Sequence, residues 1–336
     1  MTMISLGDLA QSFMLRRHNV TTRQEISRLA EEVATGRTAD VAARLSGAFS
    51  YLADIERNLG RLQGYRTAVS EAGTFAAGMQ AALGRVQDIG SSLSTRLIES
   101  FGSGIAGVTS AAAREADDSL DRIVSALNSQ IGGRSLFAGN ATATAPLVSA
   151  EVLRAEMRAA TAGRTTAEGV QSALDAWFDD VSGGFQSLAY TGSNRGLDPF
   201  HLGPHETVDL DLTADSAVIR TILKQVGLAG LAADQSLALS PDARADLMRR
   251  SAEGLIAVQD DLTGLRADLG YAEARIEDSK VRHEAEASSL EIARNTLLGV
   301  DPFDVATRLT DAQQRLESLY AVTARLSRLT LSDFLR

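Results

Sequence analysis

Where proline is missing constrains this chain more than any other feature. The first 145 residues contain none, and four of the five prolines (Pro146, Pro199, Pro204 and Pro241) lie in the middle of the chain. Only Pro302 interrupts the last stretch, which runs from about Ser251 to the end. Proline lacks an N–H and clashes with the preceding helical turn, so a long proline-free segment with apolar residues at alternating three- and four-residue steps is free to be helix. Two such arms flank a proline-bearing middle. The pattern predicts a mainly α fold: a long antiparallel helical rod or coiled-coil bundle built from the N- and C-terminal arms, with a small mixed α/β insert between them.

The first arm opens with Leu6, Leu9, Phe13 and Val20, then Ile26, Leu29 and Val33, and breaks at Gly36-Arg37. A longer seam then runs Leu45, Ala48, Leu52, Ile55, Leu59, Leu62, Val69, Ala72, Ala76, Met79, Leu83, Val86, Leu93 and Leu97. Read as a and d positions this covers about seven heptads, more than the three or four that argue for a coiled coil, with Arg66 as a polar seam position. After Phe101-Gly-Ser-Gly-Ile-Ala-Gly107 a third helix places Ala116, Leu120, Ile123, Leu127 and Ile131 on one face, with Gly132-Gly133 as its stop. The second arm has a clean seam at Leu255, Val258, Leu262, Leu265, Leu269, Ala272 and Ile276. Polar Ser279, His283 and Glu286 follow in phase before Leu290, Ala293 and Leu297. Pro302 suits a helix N1 position, and the last helix carries Val305, Leu309, Ala312, Leu316, Leu319 and Leu326.

The middle is mixed. Val170 to Leu188 reads as a helix around Trp177, Thr207 to Leu212 alternates like a strand, and Asp215 to Leu231 reads as a further helix. Ser240-Pro241-Asp242 reads as a cap and first turn.

Chemistry is sparse. The net charge of −10 disfavours nucleic acid as a partner. No cysteine is present, so disulfides, thiolate metal sites and cysteine nucleophiles are excluded. No segment approaches the roughly 20 apolar residues that span a bilayer, so no membrane partner is expected. The N-terminus has no basic region followed by an apolar run, which predicts export, if any, without a cleaved leader. Gly102 to Gly107 fits G-x-G-x-x-G, but a helical segment precedes it where a dinucleotide site needs a strand, so it reads as an inter-helix turn. His201 and His205 sit near Glu206, Asp209 and Asp211, yet Pro204 between them points to a solvated acidic loop rather than metal ligands on one helix face. His18 and His283 read as surface or seam residues. With no G-x-S-x-G, H-E-x-x-H or P-loop present, no catalytic residue, cofactor or metal is expected.

Several stretches resemble the bacterial flagellin superfamily. Ile26-Ser-Arg-Leu-Ala-Glu-Glu-Val-Ala-Thr-Gly-Arg37 is similar to the family helix that closes on a Ser/Thr-Gly-basic turn. Ala274-Arg-Ile-Glu-Asp-Ser279 resembles a flagellin C-terminal signature, and Asp301 to Leu335 resembles the terminal helix shared by flagellins and hook-associated protein 3. Gly132-Gly-Arg-Ser-Leu-Phe-Ala-Gly139, followed by Ala145-Pro146, resembles the Phe-Ala-Gly turn of the hook–filament junction type. The chain differs from the family after Gly36-Arg37, where an Asp-rich segment is usual and Thr38-Ala-Asp-Val-Ala-Ala-Arg-Leu45 stands instead. The resemblance implies paired termini forming the inner layer of a tube, with the insert projecting outward. It also implies export through the flagellar type III channel to an extracellular place at the hook–filament junction. The implied partners are further copies of the chain, the preceding hook-associated protein, flagellin and a cytoplasmic export chaperone. A flagellin filament subunit is the alternative, and a cytoplasmic coiled-coil scaffold or an enzyme in the insert are readings of other classes.

These readings divide the chain into a terminal coiled coil (1–40 and 300–336), a helical rod (41–145 and 242–299) and an outer insert (146–241). The long seams are expected to pack on each other. The terminal pair is short and buries little alone. Its apolar residues are therefore expected to form an assembly surface: Leu6, Leu9, Phe13, Val20, Ile26, Leu29, Val33, Val305, Leu309, Leu316, Leu319, Leu326, Leu329, Leu331, Phe334 and Leu335.

Overall fold

Helix boundaries in the computed structural model fall largely where capping residues and prolines place them. It describes residues 6–47, 49–103 and 106–334, with side chains at 10, 13–47, 49–100 and 110–325. In chain order the elements are α1 (Leu6–Thr35), α2 (Val41–Leu45), α3 (Phe49–Ser103), α4 (Ala106–Leu127), β1 (Gln130–Ile131), β2 (Arg134–Ser135), α5 (Ala150–Ala160), α6 (Ala167–Asp179), β3 (Phe200–Gly203), β4 (Glu206–Val208), α7 (Ala217–Leu231), α8 (Pro241–Leu298) and α9 (Pro302–Phe334). A π-helical turn, Phe185–Ala189, follows α6. The protein is mainly α, and its strands among the described residues form two antiparallel hairpins. Ser240 Oγ accepts from Ala243 N (3.1 Å) at the start of α8, and Asp301 Oδ1 accepts from Phe303 N (2.8 Å) at the start of α9. Each cap precedes a proline at the first helical position, where no N–H is needed.

The chain separates into two compact units, Met1–Gln63 with Glu284–Arg336, and Gly64–His283. In the first, α1 and α9 run antiparallel: the end of α1 meets the start of α9, and Arg23 reaches Tyr320. Their shared core is small, with Leu29, Val305 and Ala312 buried and Ile26, Val300 and Leu309 packed around them. Leu52, Ile55 and Leu62 of α3 and Ala287 and Leu298 of α8 are the other buried apolar residues of this unit among the described side chains.

In the second unit α3 and α8 pack antiparallel. Gln80 Nε2 donates to Arg266 O (3.2 Å), Gln87 Nε2 donates to Thr263 Oγ1 (3.1 Å), and Gly73 lies against Ile276. Val69, Ala72, Ala76, Met79, Leu83, Val86, Leu93 and Leu97 are buried with Leu255, Val258, Leu262, Leu269, Ala272 and Ile276, as the seams predict. The core continues through α4 to α7, where Phe178 and Phe185 stack with ring centroids 5.3 Å apart and Trp177 meets both edge-on.

Some expectations are corrected. The seam from Leu45 does not start the long helix: Ser46 adopts a left-handed conformation (φ 47°), ending α2, and α3 begins at Phe49. Ala48 lies outside the described residues. Arg66 is exposed, because Tyr65 takes the inward position. The third helix stops at Leu127, and Gly132-Gly133, both at positive φ (58° and 77°), instead turn the β1–β2 hairpin. The helix expected to reach Leu188 ends at Asp179. The strand expected over Thr207 to Leu212 pairs only through Val208, because β3 is short; Leu210 is nevertheless buried, so the alternation reports burial beyond the paired ladder. Glu286 is exposed, and Ala287 takes the buried position four residues after His283.

Candidate assembly surface

On α9 the residues Val305, Leu309, Ala312, Leu316 and Leu319 hold one stripe: Val305 and Ala312 are buried, and Leu309, Leu316 and Leu319 are half-buried. On α1 the matching stripe does not last. Leu29 is fully buried and Ile26 half-buried, and the positions that continue their face toward the N-terminus are polar Thr22 and Asn19 and then apolar Leu15, all half-buried. At about 100° per residue, Phe13 and Val20 fall roughly opposite that face. They are 69% and 55% exposed. In this segment, therefore, Thr22 and Asn19 interrupt the face turned to the partner helix, while apolar Phe13 and Val20 face out. Arg23 donates to the hydroxyl of Tyr320, and that hydrogen bond holds the phenol below its ordinary pKa.

Of the residues expected to form the assembly surface, the structure places Leu29 and Val305 in the chain's own core. Ile26, Leu309, Leu316 and Leu319 are at its margin, and Phe13, Val20 and Val33 are open to solvent. The backbone of Leu6, Leu9, Leu326, Leu329, Leu331 and Phe334 is helical, but their side chains lie outside those described, and Leu335 lies outside the described residues. Sequence reasoning missed Met14, Phe303, Tyr320 and Val322, all exposed on the same two helices. Phe303 (83% exposed) stands directly after the N1 proline, off the seam phase, and that offset is the signal that could have found it.

The elbow joining α1 to α2 was likewise not foreseen. The turn after α1 is bridged to the α8–α9 connection: Thr38 N donates to Leu298 O (2.8 Å) and Val300 N donates to Gly36 O (3.1 Å). Arg37 Nη2 donates to Asn295 Oδ1 (2.9 Å), and Arg44 donates to the carbonyls of Leu297 and Gly299 (3.2 and 3.3 Å). Buried Glu32 accepts from Ala39 N (3.1 Å). The 38–45 segment, where the sequence departs from the flagellin pattern, thus ties itself to the chain's own second arm through Thr38 N and Arg44, while Ala39 N bonds Glu32 and Asp40 caps Ala43.

The Phe-Ala-Gly turn is knitted into the second unit. Ser193 N donates to Ala138 O (2.9 Å), Asn140 N to Arg195 O (3.1 Å) and Ala214 N to Phe137 O (2.9 Å). Gly139 has φ +60°, and a Cβ there would overlap Arg195 O. Only glycine meets both demands. In the middle, His201 on β3 and His205 in the hairpin turn are both exposed, and among the described residues no group of three His, Asp or Glu is placed to hold a metal ion. Helix α3, not a strand, leads into Gly102–Gly107; Gly104 and Ile105 lie outside the described residues. No helix among the described residues is long and apolar enough to cross a membrane.

The family described as the bacterial flagellin C-terminal helical region matches residues 257–335. The second arm is similar to a flagellin arm over those residues. Its match spans both C-terminal stretches that carried the resemblance, Ala274–Ser279 and Asp301–Leu335. The fold is that of flagellar hook-associated proteins. A Vibrio parahaemolyticus protein described as a flagellar hook-associated protein superposes with a TM-score of 0.51 at 17% identity, covering 75% of this chain and 99% of its own. FlgL of Bacillus cereus gives 0.52 at 12% identity, covering 70% of this chain and 96% of its own. None of the curated proteins matches the chain in sequence. What lies at the seat of the flagellin-like stretch Ala274–Ser279 is specific: Arg275 Nη2 donates to Thr207 O (2.8 Å), and Ser279 Oγ donates to Glu206 Oε1 (2.8 Å).

Proposed function

We propose that this chain is a structural, non-enzymatic subunit of the bacterial flagellum, a hook-associated protein that joins hook to filament. The observation that carries the reading is the outer side of α1, where Phe13 and Val20 face solvent opposite the side that Leu15, Thr22 and Leu29 turn to α9. A helix that turns large apolar side chains away from its partner helix leaves them for another molecule. Contacts of that kind, repeated head to tail without closing, build a tube. In this reading 1–40 with 300–336 form the inner layer, 41–145 with 242–299 the rod around it, and 146–241 the outer insert. Neighbours are further copies, the preceding hook-associated protein and flagellin. The chain reaches the cell exterior through the flagellar export channel, held beforehand by an export chaperone.

The test is the double variant Phe13→Asp and Val20→Asp. It is expected to fold with unchanged helicity and to be lost from sheared flagella, with motility lost; normal motility would overturn the assembly role. Immunolabelling of the native protein then separates the junction part from the filament subunit. Label confined to the hook end fits the junction; label along the whole filament identifies a flagellin.

A further inference from the structure

The seam of α8 changes chemistry without changing burial. From Leu255 to Ile276 its inward residues are apolar; the next two, Ser279 and His283, are as deeply buried (0% and 6% exposed) and polar. Packing of helix on helix does not account for them, since an unpaired polar group buried in such a seam is destabilising. Their hydrogen-bond partners come from the β3–β4 hairpin. Ser279 Oγ donates to Glu206 Oε1 (2.8 Å), Arg282 pairs with the same carboxylate, and Arg275 Nη2 donates to Thr207 O (2.8 Å). His283 Nε2 donates to Leu202 O (2.5 Å), and the Tyr65 ring stacks on the imidazole at 5.6 Å.

We propose that the β3–β4 hairpin is a strap seated in a polar notch of α8, and that it lifts from Arg275, Ser279 and His283 as a unit while the helices beneath stay folded. Strands of four and three residues are too short to persist alone, so the hairpin keeps its shape only while seated. Its pairing is already irregular between His201 and Gly203, and irregular chain leads into it and away from it. The α3–α8 seam from Val69 to Leu97 and from Leu255 to Ile276 supplies its own apolar residues, and the hairpin packs on it at Phe75. Seated, the strap adds Leu202 and Val208 to the core and sets Phe200 against Phe75, ring centroids 6.1 Å apart. Lifted, it uncovers a ledge of Tyr65, Ser279 and His283. In this protein, Arg275 and Ser279 of the flagellin-like signature are positioning residues for a piece of their own chain. The inference is independent of where the protein sits in the flagellum.

Amide hydrogen exchange on the full-length chain tests it. In the wild type, the hairpin amides are expected to exchange faster than those of the Leu255–Ile276 stretch; equal rates would overturn a separately opening strap. The double variant Arg275→Ala and Ser279→Ala, and separately Glu206→Gln, is expected to raise hairpin exchange by about tenfold per hydrogen bond lost, with α7 unchanged. Wild-type protection in the double variant would mean that the apolar residues alone seat the hairpin and the notch is idle. A joint rise in the hairpin and α8 would mean that no strap exists as a unit. Should the double variant fail to fold, the wild-type ordering and Glu206→Gln decide the matter.

Discussion

Replacing Gly139 by alanine isolates what the Phe-Ala-Gly turn contributes. Gly139 sits at φ +60°, and a non-glycine residue in that left-handed region costs about 1–2 kcal/mol. The added methyl also has nowhere to go: it would overlap Arg195 O and stand 2.7 Å from Ser193 O, both backbone atoms that no rotamer change can move. The 193–195 loop must then shift, breaking the bonds from Ser193 N to Ala138 O and from Asn140 N to Arg195 O. At about 0.5–1.5 kcal/mol each, these bring the total to about 2–5 kcal/mol. Gly133→Ala is the comparison. It shares the positive φ (77°) but has nothing within 4 Å of the added carbon, so only the conformational cost of about 1–2 kcal/mol applies. Urea unfolding followed by circular dichroism measures both, read as midpoint shifts at constant slope. If Gly139→Ala costs no more than Gly133→Ala, the close approach to the 193–195 loop contributes nothing and the argument fails.

Other outcomes follow from the same physics. Gly60 and Gly64 lie inside α3 with open space where a side chain would be, so Gly60→Ala and Gly64→Ala should each stabilise by about 0.5–1 kcal/mol; a loss in thermal unfolding would reveal a contact or backbone demand there. Burial pushes the Asp117 carboxyl above its ordinary range despite Arg154, so the folded state binds that proton more tightly than the unfolded chain does. Stability attributable to this group is then present at low pH and lost as pH rises through the folded value. Asp117→Asn should be neutral or stabilising at pH 7, with the difference closing on acidification; a destabilised variant at pH 7 would contradict this. Arg44→Ala removes two hydrogen bonds to the α8–α9 connection and should cost about 1–2 kcal/mol, seen as faster amide exchange at Thr38 and Val300; unchanged exchange would show that the backbone bridge needs no support.

The long seams were legible because Leu255 through Ile276 meet other apolar side chains at a constant helical phase, and Pro241 and Pro302 announce their helices by local chemistry alone. What was not legible depended on residues far away in sequence. Ser279 and His283 looked like a gap in the seam because their partners Glu206 and Leu202 lie more than seventy residues earlier. Gly132-Gly133 serves a helix stop or a hairpin turn equally well, and the strands that decide between them are two residues each. On α1, Phe13 through Val33 were read as one stripe because apolar spacing alone does not say which face meets α9; the packing of Leu29 and Ile26 on Val305 and Leu309, and Arg23 on Tyr320, do. The elbow was missed because backbone donors and acceptors carry no sequence signal.

That last property gives the elbow a consequence for how the chain tolerates change. The bridge between 36–38 and 298–300 is formed by peptide groups, so non-proline substitutions at Arg37, Thr38, Leu298 and Val300 leave its donors and acceptors in place, whereas Gly36 (φ +66°) and Gly299, where a Cβ would overlap Asn295 O, favour glycine. An added residue is another matter. Inserted within the first turn of α9, after Pro302, it would rotate everything downstream by about 100° and present a different side of α9 to α1. Inserted at Pro204-His205, it would only lengthen a loop tip. Variation in length should therefore be scarce on one side of this chain's fixed point and common at the hairpin end.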